Sequence, residues 1–541
     1  MSGFSRRSLL GMASAAPWVG RFDRVDAATA GALVDTEAVR SAPFKSMRDY
    51  VASLERRGLV IRVPRANQDE YELTALMWRM RDQHGMRGAP AILVDEIRIG
   101  GEWVKGPLLI NESGHMDAEC IAFGLEPVVE PVNRPTFGSY RKARSYVETL
   151  LDSNDGLYPL IDPVEVSAED AACKQVVLTG DAIDLTKFQF IQGNPTDAGR
   201  YINTGVVFTR HPKYGVNFGT YRCHLRGPRE IALNSEPGQT GNRHLWAAKT
   251  RGEKTAKVSI ALTVDPYVWM VSGAKMNLGY GRPVDEMAIA GGLASAPIEV
   301  VRCKTNDFMV PAWAEMIIEG EVPLDDMRPE GPYGEWFGYQ GPVKDEVFWV
   351  NVTAVTHRLN PWIMNNFTGI QAGALMSASH AGSLHRLRQK FPNITDWFYD
   401  TRSSGFTVAS IDKQAPGEGM VLAKHIAETS FTSKVIVVVD SDIDVTNQEQ
   451  VLMAMVALWQ PAGNIKVYDS MPILPLDQSA PRIGKGSKIA IDATRQLPAE
   501  GRDRPWPGMN RTLFEENAPN ALAQVDAKWG SMVRDWTLPR R

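Results

Sequence analysis

Cysteine is scarce in this chain: four in 541 residues, Cys120, Cys173, Cys223 and Cys303, with no CxxC pair among them. That spacing fits neither a disulfide framework nor a cysteine-built zinc site, and a reducing compartment is the default. Long apolar runs are missing as well. No stretch reaches the ~18 residues that a membrane-spanning helix needs, so no membrane partner is expected. An excess of positive charge is also absent: 59 Lys and Arg stand against 63 Asp and Glu, for a net charge of −4. Such a balance offers no field for a nucleic-acid backbone. There is no internal repeat and no low-complexity tract. Large apolar side chains, by contrast, are plentiful. The 14 Trp and 21 Met favour wide contact surfaces inside or between subunits. The length exceeds what one core organises and predicts two to four domains.

Residues 1–40 read as a leader. Ser5-Arg6-Arg7-Ser8-Leu9-Leu10 and the short apolar stretch to Gly20 resemble a twin-arginine export signal, but Arg21, Asp23 and Arg24 follow at once. A disordered leader on a cytoplasmic protein is the preferred reading. Helical spacing at Tyr50-Val-Ala-Ser-Leu-Glu and Tyr71-Glu-Leu-Thr-Ala-Leu-Met-Trp-Arg-Met, with a buried strand at Ala91-Ile-Leu-Val, predicts an N-terminal α/β domain over 41–163. Residues 164–358 hold short β-branched runs near Val176, Thr204, Val258, Ile298, Glu315 and Phe348, which predict an antiparallel sheet or barrel. From 359 to 504, helical segments precede the uninterrupted apolar strand Val435–Asp440, and Gln448–Leu458 reads as a further helix. That suits a second α/β domain with both sheet faces covered. The last residues, 505–541, are rich in Pro, Trp and charge and read as an arm. The fold class expected is a multidomain α+β or α/β protein around a central β-domain.

Two places carry chemistry. Glu330-Gly-Pro-Tyr-Gly-Glu335 sets two carboxyl groups on a backbone that Gly331, Pro332 and Gly334 force to turn. Paired acids on a stiff loop let one stay protonated and donate while the other stays charged and orients a cation. Upstream, Asn217, His244 and Glu286 offer an amide oxygen, an imidazole nitrogen and a carboxylate, a mostly hard donor set suited to Mn²⁺ or Mg²⁺. No two of the three stand at i, i+4, so helix-borne zinc motifs do not apply.

An ordered series of stretches goes further. Tyr201-Ile-Asn-Thr-Gly-Val-Val-Phe-Thr-Arg, Asn217-Phe-Gly-Thr-Tyr-Arg222, Pro297-Ile-Glu-Val-Val-Arg-Cys-Lys-Thr-Asn-Asp and Val310-Pro-Ala-Trp-Ala-Glu-Met-Ile-Ile-Glu-Gly come first. Pro329-Glu-Gly-Pro-Tyr-Gly-Glu-Trp-Phe-Gly-Tyr339 and Gly486-Ser-Lys-Ile-Ala-Ile-Asp-Ala-Thr494 follow. Together they resemble the UbiD family of decarboxylases, the group that includes 4-hydroxy-3-polyprenylbenzoate decarboxylase and ferulic acid decarboxylase. The resemblance implies a prenylated FMN in a split β-barrel, its phosphate bound through Mn²⁺ and K⁺. It assigns Arg222, Glu330 and Glu335 as the catalytic set and Asn217, His244 and Glu286 as the Mn²⁺ ligands, with His224 as the rival histidine. It gives Val271, Ser272, Ala274 and Glu286 to K⁺. It adds Thr220, Tyr221, Arg243 and Lys434 as further cofactor contacts. A flavin prenyltransferase as cofactor supplier and a homodimer or larger homo-oligomer are implied too.

The implied reaction is reversible, non-oxidative decarboxylation of an aromatic, heteroaromatic or α,β-unsaturated carboxylic acid. Loss of CO₂ from an sp² carbon leaves an anion the ring cannot delocalise, and the family's cofactor first makes that carbon sp³. On this reading Arg222 holds the substrate carboxylate and Glu335 returns the proton, with Trp336, Phe337 and Tyr339 as the apolar wall beside it. Two alternatives stay open from sequence: an FMN-dependent reductase on the same barrel, and a non-catalytic flavin-binding subunit.

Overall fold

The computed structural model describes residues 41–129, 137–400 and 405–535; the leader, with its twin-arginine-like segment, lies outside them. The centre is a closed barrel of six strands, Thr255–Leu262, Tyr201–His211, Gly215–Leu225, Glu230–Asn234, Lys344–His357 and Met316–Pro323, the last pairing back to the first. All the pairings around it are antiparallel. Closure leaves no edge within the ring, and alternation sends Val207, Ile260, Ile318 and Val350 into one buried cluster. Met327–Glu330 adds to the Lys344–His357 strand with a register irregularity between Arg328 and Glu330, so Glu330 ends its strand opposite Lys344.

On the N-terminal side a four-stranded sheet runs Val60–Asn67, Ala91–Ile99, Glu102–Ile110 and Ile363–Asn365. The last strand arrives from beyond the barrel and pairs in parallel with Glu102–Ile110. The two stretches with helical spacing are helices, and the segment between them holds a strand without a sequence signal. Helices Met47–Arg56 and Glu72–His84 form, but Val60–Asn67 between them is a strand, whose mostly exposed, Arg-bearing faces hide its period. In the C-terminal part, Val435–Asp440 is central and pairs in parallel with Phe406–Ile411 and Lys485–Asp492. Its uninterrupted apolar run is buried as such a strand requires. Two strands, Ile394–Asp400 and Phe406–Ile411, occupy part of what reads as helical in sequence. The run at Ile298 joins a separate three-stranded sheet with Met309–Pro311 and Val164–Glu165, outside the barrel. The arm contains helices Asn510–Asn517 and Ala521–Asp535. The architecture is thus mixed α+β around a closed barrel.

Candidate active site

Arg222 and Asn217 lie on one strand, Gly215–Leu225, but on opposite faces, because they stand five positions apart and side chains alternate. The strand therefore feeds two clusters.

The first is acidic. The guanidinium of Arg222 donates from Nη2 to Glu330 Oε2 at 2.8 Å and from Nη1 to Glu335 Oε1. All three side chains are buried. Burial works against the charge of Arg222, but Glu335 and Glu330 more than offset it, so the group stays cationic. Its Nε has no acceptor although it is buried. The two acids differ. Glu330 has both oxygens engaged, since Tyr201 Oη donates to Oε1 at 2.7 Å. For Glu335, burial pushes the carboxyl above the usual range, opposed by Arg222. A carboxyl whose protonated form burial favours, beside one whose oxygens both accept from donors, is the division of labour a proton-donating site needs.

The loop is held from three directions. Gly331 adopts φ +98°, in the left-handed region that suits glycine. Asp197 accepts from Gly334 N at 2.8 Å, and Ala198 N donates to Pro332 O at 2.8 Å. A Cβ at Gly341 would lie 2.7 Å from Glu335 Cγ, so only glycine leaves that acid its place. Tyr333 packs its ring under the Arg222 guanidinium at 4.6 Å and shares a 2.8 Å hydrogen bond with Thr368. The wall expected from Trp336 and Tyr339 is corrected: both are exposed, at 42% and 71%. Trp336 and the half-buried Phe337 lie within the turn that Gly338 N closes on Glu335 O, and Tyr333 takes the buried place.

The second cluster contains the expected metal ligands. Asn217 stands opposite Thr209 across the ladder, and Thr209 Oγ1 lies 3.1 Å from His244 Nδ1. Glu286 begins its helix, which Asp285 caps, and accepts from Phe218 N at 3.0 Å and Asn277 Nδ2 at 3.2 Å. Sheet register and helix capping thus bring Asn217, His244 and Glu286 to one buried locality. With Nδ1 engaged, His244 presents Nε2. Burial, then His211, holds its pKa down at about 4, leaving the neutral imidazole that binds metals. Burial raises Glu286 to about 7, a carboxylate short of a cation. Among the described residues no group of three His, Cys, Asp or Glu side chains could hold a metal; this trio has only two such members and an amide. The donor chemistry fits a hard divalent ion.

Tyr221 serves the same locality, bonding the Gly241 amide at 3.0 Å and the Asn217 side chain. Thr220 shares a 2.8 Å hydrogen bond with Ser272, at the end of the helix Pro266–Ser272. Of the expected K⁺ residues, Val271 lends its carbonyl to the Ala274 amide at 3.3 Å. Arg243 is exposed and acts electrostatically on Lys275, and no ion pair among the described residues satisfies either. Lys275 sits in a loop without a sequence motif, with its ammonium 5.7 Å from the Phe431 ring. Lys434 is engaged elsewhere, donating to Asp477 at 2.7 Å and to Ser479. His224 is not in the metal locality. It stacks on Tyr201 at 4.6 Å, on the Glu330 side. Tyr201 itself escaped notice because a tyrosine opening a strand looks like core.

Comparison with known proteins agrees with this architecture. Residues 164–371 match the 3-octaprenyl-4-hydroxybenzoate carboxy-lyase Rift-related domain (UbiD), and residues 373–493 match the C-terminal domain of the same carboxy-lyase (UbiD_C). The uncharacterized protein sll0936 of Synechocystis is 29% identical over 504 residues, covering 90% of this chain and 95% of that one. An uncharacterized protein of Archaeoglobus fulgidus is 28% identical over 509 residues, covering 92% and 100%. Among solved structures, the UbiD-class enzyme HmfF from Pelotomaculum thermopropionicum in complex with FMN superposes with a TM-score of 0.70 at 25% identity, over 87% of this chain and 100% of that one. The closed form of vanillic acid decarboxylase from Sedimentibacter hydroxybenzoicus gives a TM-score of 0.73 at 23% identity, over 88% and 99%. The two matched regions take in more than half of the sequence, and the chain belongs to the UbiD family of carboxy-lyases.

Proposed function

We propose that this protein is a reversible, non-oxidative decarboxylase of an aromatic, heteroaromatic or α,β-unsaturated carboxylic acid, working with prenylated FMN. The observation that carries the reading is Arg222. It is held between two buried glutamates while its Nε–H, also buried, lacks an acceptor. A lone buried donor on a fixed cation calls for an incoming acceptor such as a carboxylate oxygen.

The residues divide the work. Arg222 orients the carboxylate of the substrate. Glu330, both oxygens occupied by donors, fixes Arg222. Burial favours the protonated form of Glu335, which gives its proton to the carbon once CO₂ has left. The cofactor, when bound, supplies the electron sink that makes that carbon tetrahedral before the C–C bond breaks. Asn217, His244 and Glu286 would hold Mn²⁺ or Mg²⁺ at its phosphate, and Arg243 and Lys275 add positive charge there. The Val271–Ala274 segment, with Glu286, would hold K⁺. The structural relatives support this reading, one solved with FMN and another form of the same enzyme with prFMN. A flavin prenyltransferase is the implied supplier. A second copy of the chain is the implied partner of the exposed apolar C-terminal helices, where Leu452, Met453 and Val456 face solvent.

The test is a screen of such acids for hydrogen–deuterium exchange at the carboxylate-bearing carbon, using protein co-expressed with a flavin prenyltransferase. Exchange should occur with at least one acid, and Glu330→Gln should reduce it by about 100-fold or more. A reductase or a scaffold on the same barrel would show no exchange with any of them.

A further inference from the structure

We propose that Tyr201 is a positioning residue for the acid–arginine–acid set: its hydroxyl holds Glu330 so that Arg222 is shared between Glu330 and Glu335 rather than taken by Glu330 alone. This rests on the reading above, in which Glu335 is the proton donor.

The geometry is specific. Tyr201 opens the barrel strand Tyr201–His211 and is almost fully buried. Its ring is gripped on two sides, by His224 at 4.6 Å and 13° and by Tyr333 at 4.5 Å and 49°. One stacked and one tilted ring contact leave the ring little freedom, so Oη is fixed where it meets Glu330 Oε1 at 2.7 Å. Burial, and then the charge of Glu330, push the phenol well above its ordinary range. Tyr201 therefore remains a donor and moves no proton. His224 makes the same point from behind, since burial lowers it to about 4 and leaves it an uncharged stacking partner.

Arg222 has two Nη groups and two carboxylates to serve. With Oε1 of Glu330 occupied by the phenol, only Oε2 faces the guanidinium, and Nη1 is left for Glu335. Without the hydroxyl, a wholly buried Oε1 has no donor, and an unpaired buried oxygen is costly. Turning the carboxylate until both oxygens meet Arg222 restores a donor by bidentate pairing. Pairing end-on across Nη1 and Nη2, with Nε left for the substrate carboxylate, draws the cation from Glu335. The groups facing Glu330 are Arg222, Tyr201, Cys223 and His224; those facing Glu335 are Arg222, Lys344 and Glu236. Arg222 is the one cation common to both, so its loss from one side is felt at Glu335.

The test is a pH titration of the protonated carboxyl band by infrared difference spectroscopy on the full chain, without substrate or cofactor. Loss of the band in Glu335→Gln assigns it. Tyr201→Phe keeps the ring and removes only the hydroxyl. With Arg222 withdrawn, Glu335 should hold its proton to higher pH, the midpoint rising by about one unit or more. Glu330→Gln should move the midpoint the other way, since Arg222 is then left to Glu335, and adding Tyr201→Phe to it should change nothing further. The claim is overturned if the midpoint in Tyr201→Phe equals that of the natural protein, or shifts as much in the Glu330→Gln background. If Tyr201→Phe does not fold, an unmoved midpoint in Glu330→Gln alone overturns the sharing of Arg222. Because no turnover is read, this result stands apart from whether any acid is decarboxylated.

Discussion

A carboxyl group in water is ionised above about pH 4, and a proton donor working near neutrality has to be kept from that fate. In the proposed reaction burial does this for Glu335, and Arg222 limits it by favouring the charged form. The sign for activity follows: the donor must be protonated, so turnover is lost as pH rises through a pKa lying above the ordinary Glu range. The alkaline limb of kcat should therefore fall above that range, read from a pH–rate profile at saturating substrate. Position matters as much as protonation. Gly341→Ala places a methyl 2.7 Å from Glu335 Cγ, and kcat should drop by roughly 100-fold while flavin is retained. At this scale the sequence was readable where chemistry is written in unusual residues, as in two acids among glycines. It was silent on Tyr201 and Lys275, whose roles depend on what folding sets opposite them.

Elements explain why the loop from Glu330 to Gly341 can be both irregular and fixed. Asp197 bonds the Gly334 and Asn194 amides, and Thr196 exchanges hydrogen bonds with Gln340. The segment 194–198 acts as a clasp across the loop. Asp197→Ala should release it, and amide exchange of the 331–341 peptide, followed by mass spectrometry, should accelerate by on the order of tenfold or more. Unchanged exchange would show that the loop is fixed by Tyr333 and Gly341 alone. The clasp lies in a stretch without strand or helix signal, so composition offers no sign of it. Uninterrupted apolar runs such as Val435–Asp440 were legible, and so were most barrel strands. Val60–Asn67 and the pair Ile394–Asp400 and Phe406–Ile411 were not, because the first alternates irregularly in exposure and the other two are buried nearly throughout, so none shows a period of two.

For the whole molecule, barrel closure is what converts residues far apart in the chain into one site. Pairing of Met316–Pro323 with both Thr255–Leu262 and Lys344–His357 completes the ring. No local pattern encodes that closure; the ordered series of motifs implied it only through resemblance. The exposed apolar helix Gln448–Ala457 bears on assembly. Leu452 and Val456, 59% and 86% exposed, should be covered by a second copy, and Leu452→Glu with Val456→Glu should lower the mass seen in sedimentation. The central claim concerns proton delivery by Glu335 to a carbon that has lost CO₂. Its most direct test is isotope exchange at that carbon in cofactor-loaded Glu335→Gln, with the mass and amount of bound flavin matched to the natural protein. Exchange reduced by about 100-fold or more is the predicted result; exchange at the natural rate would contradict it.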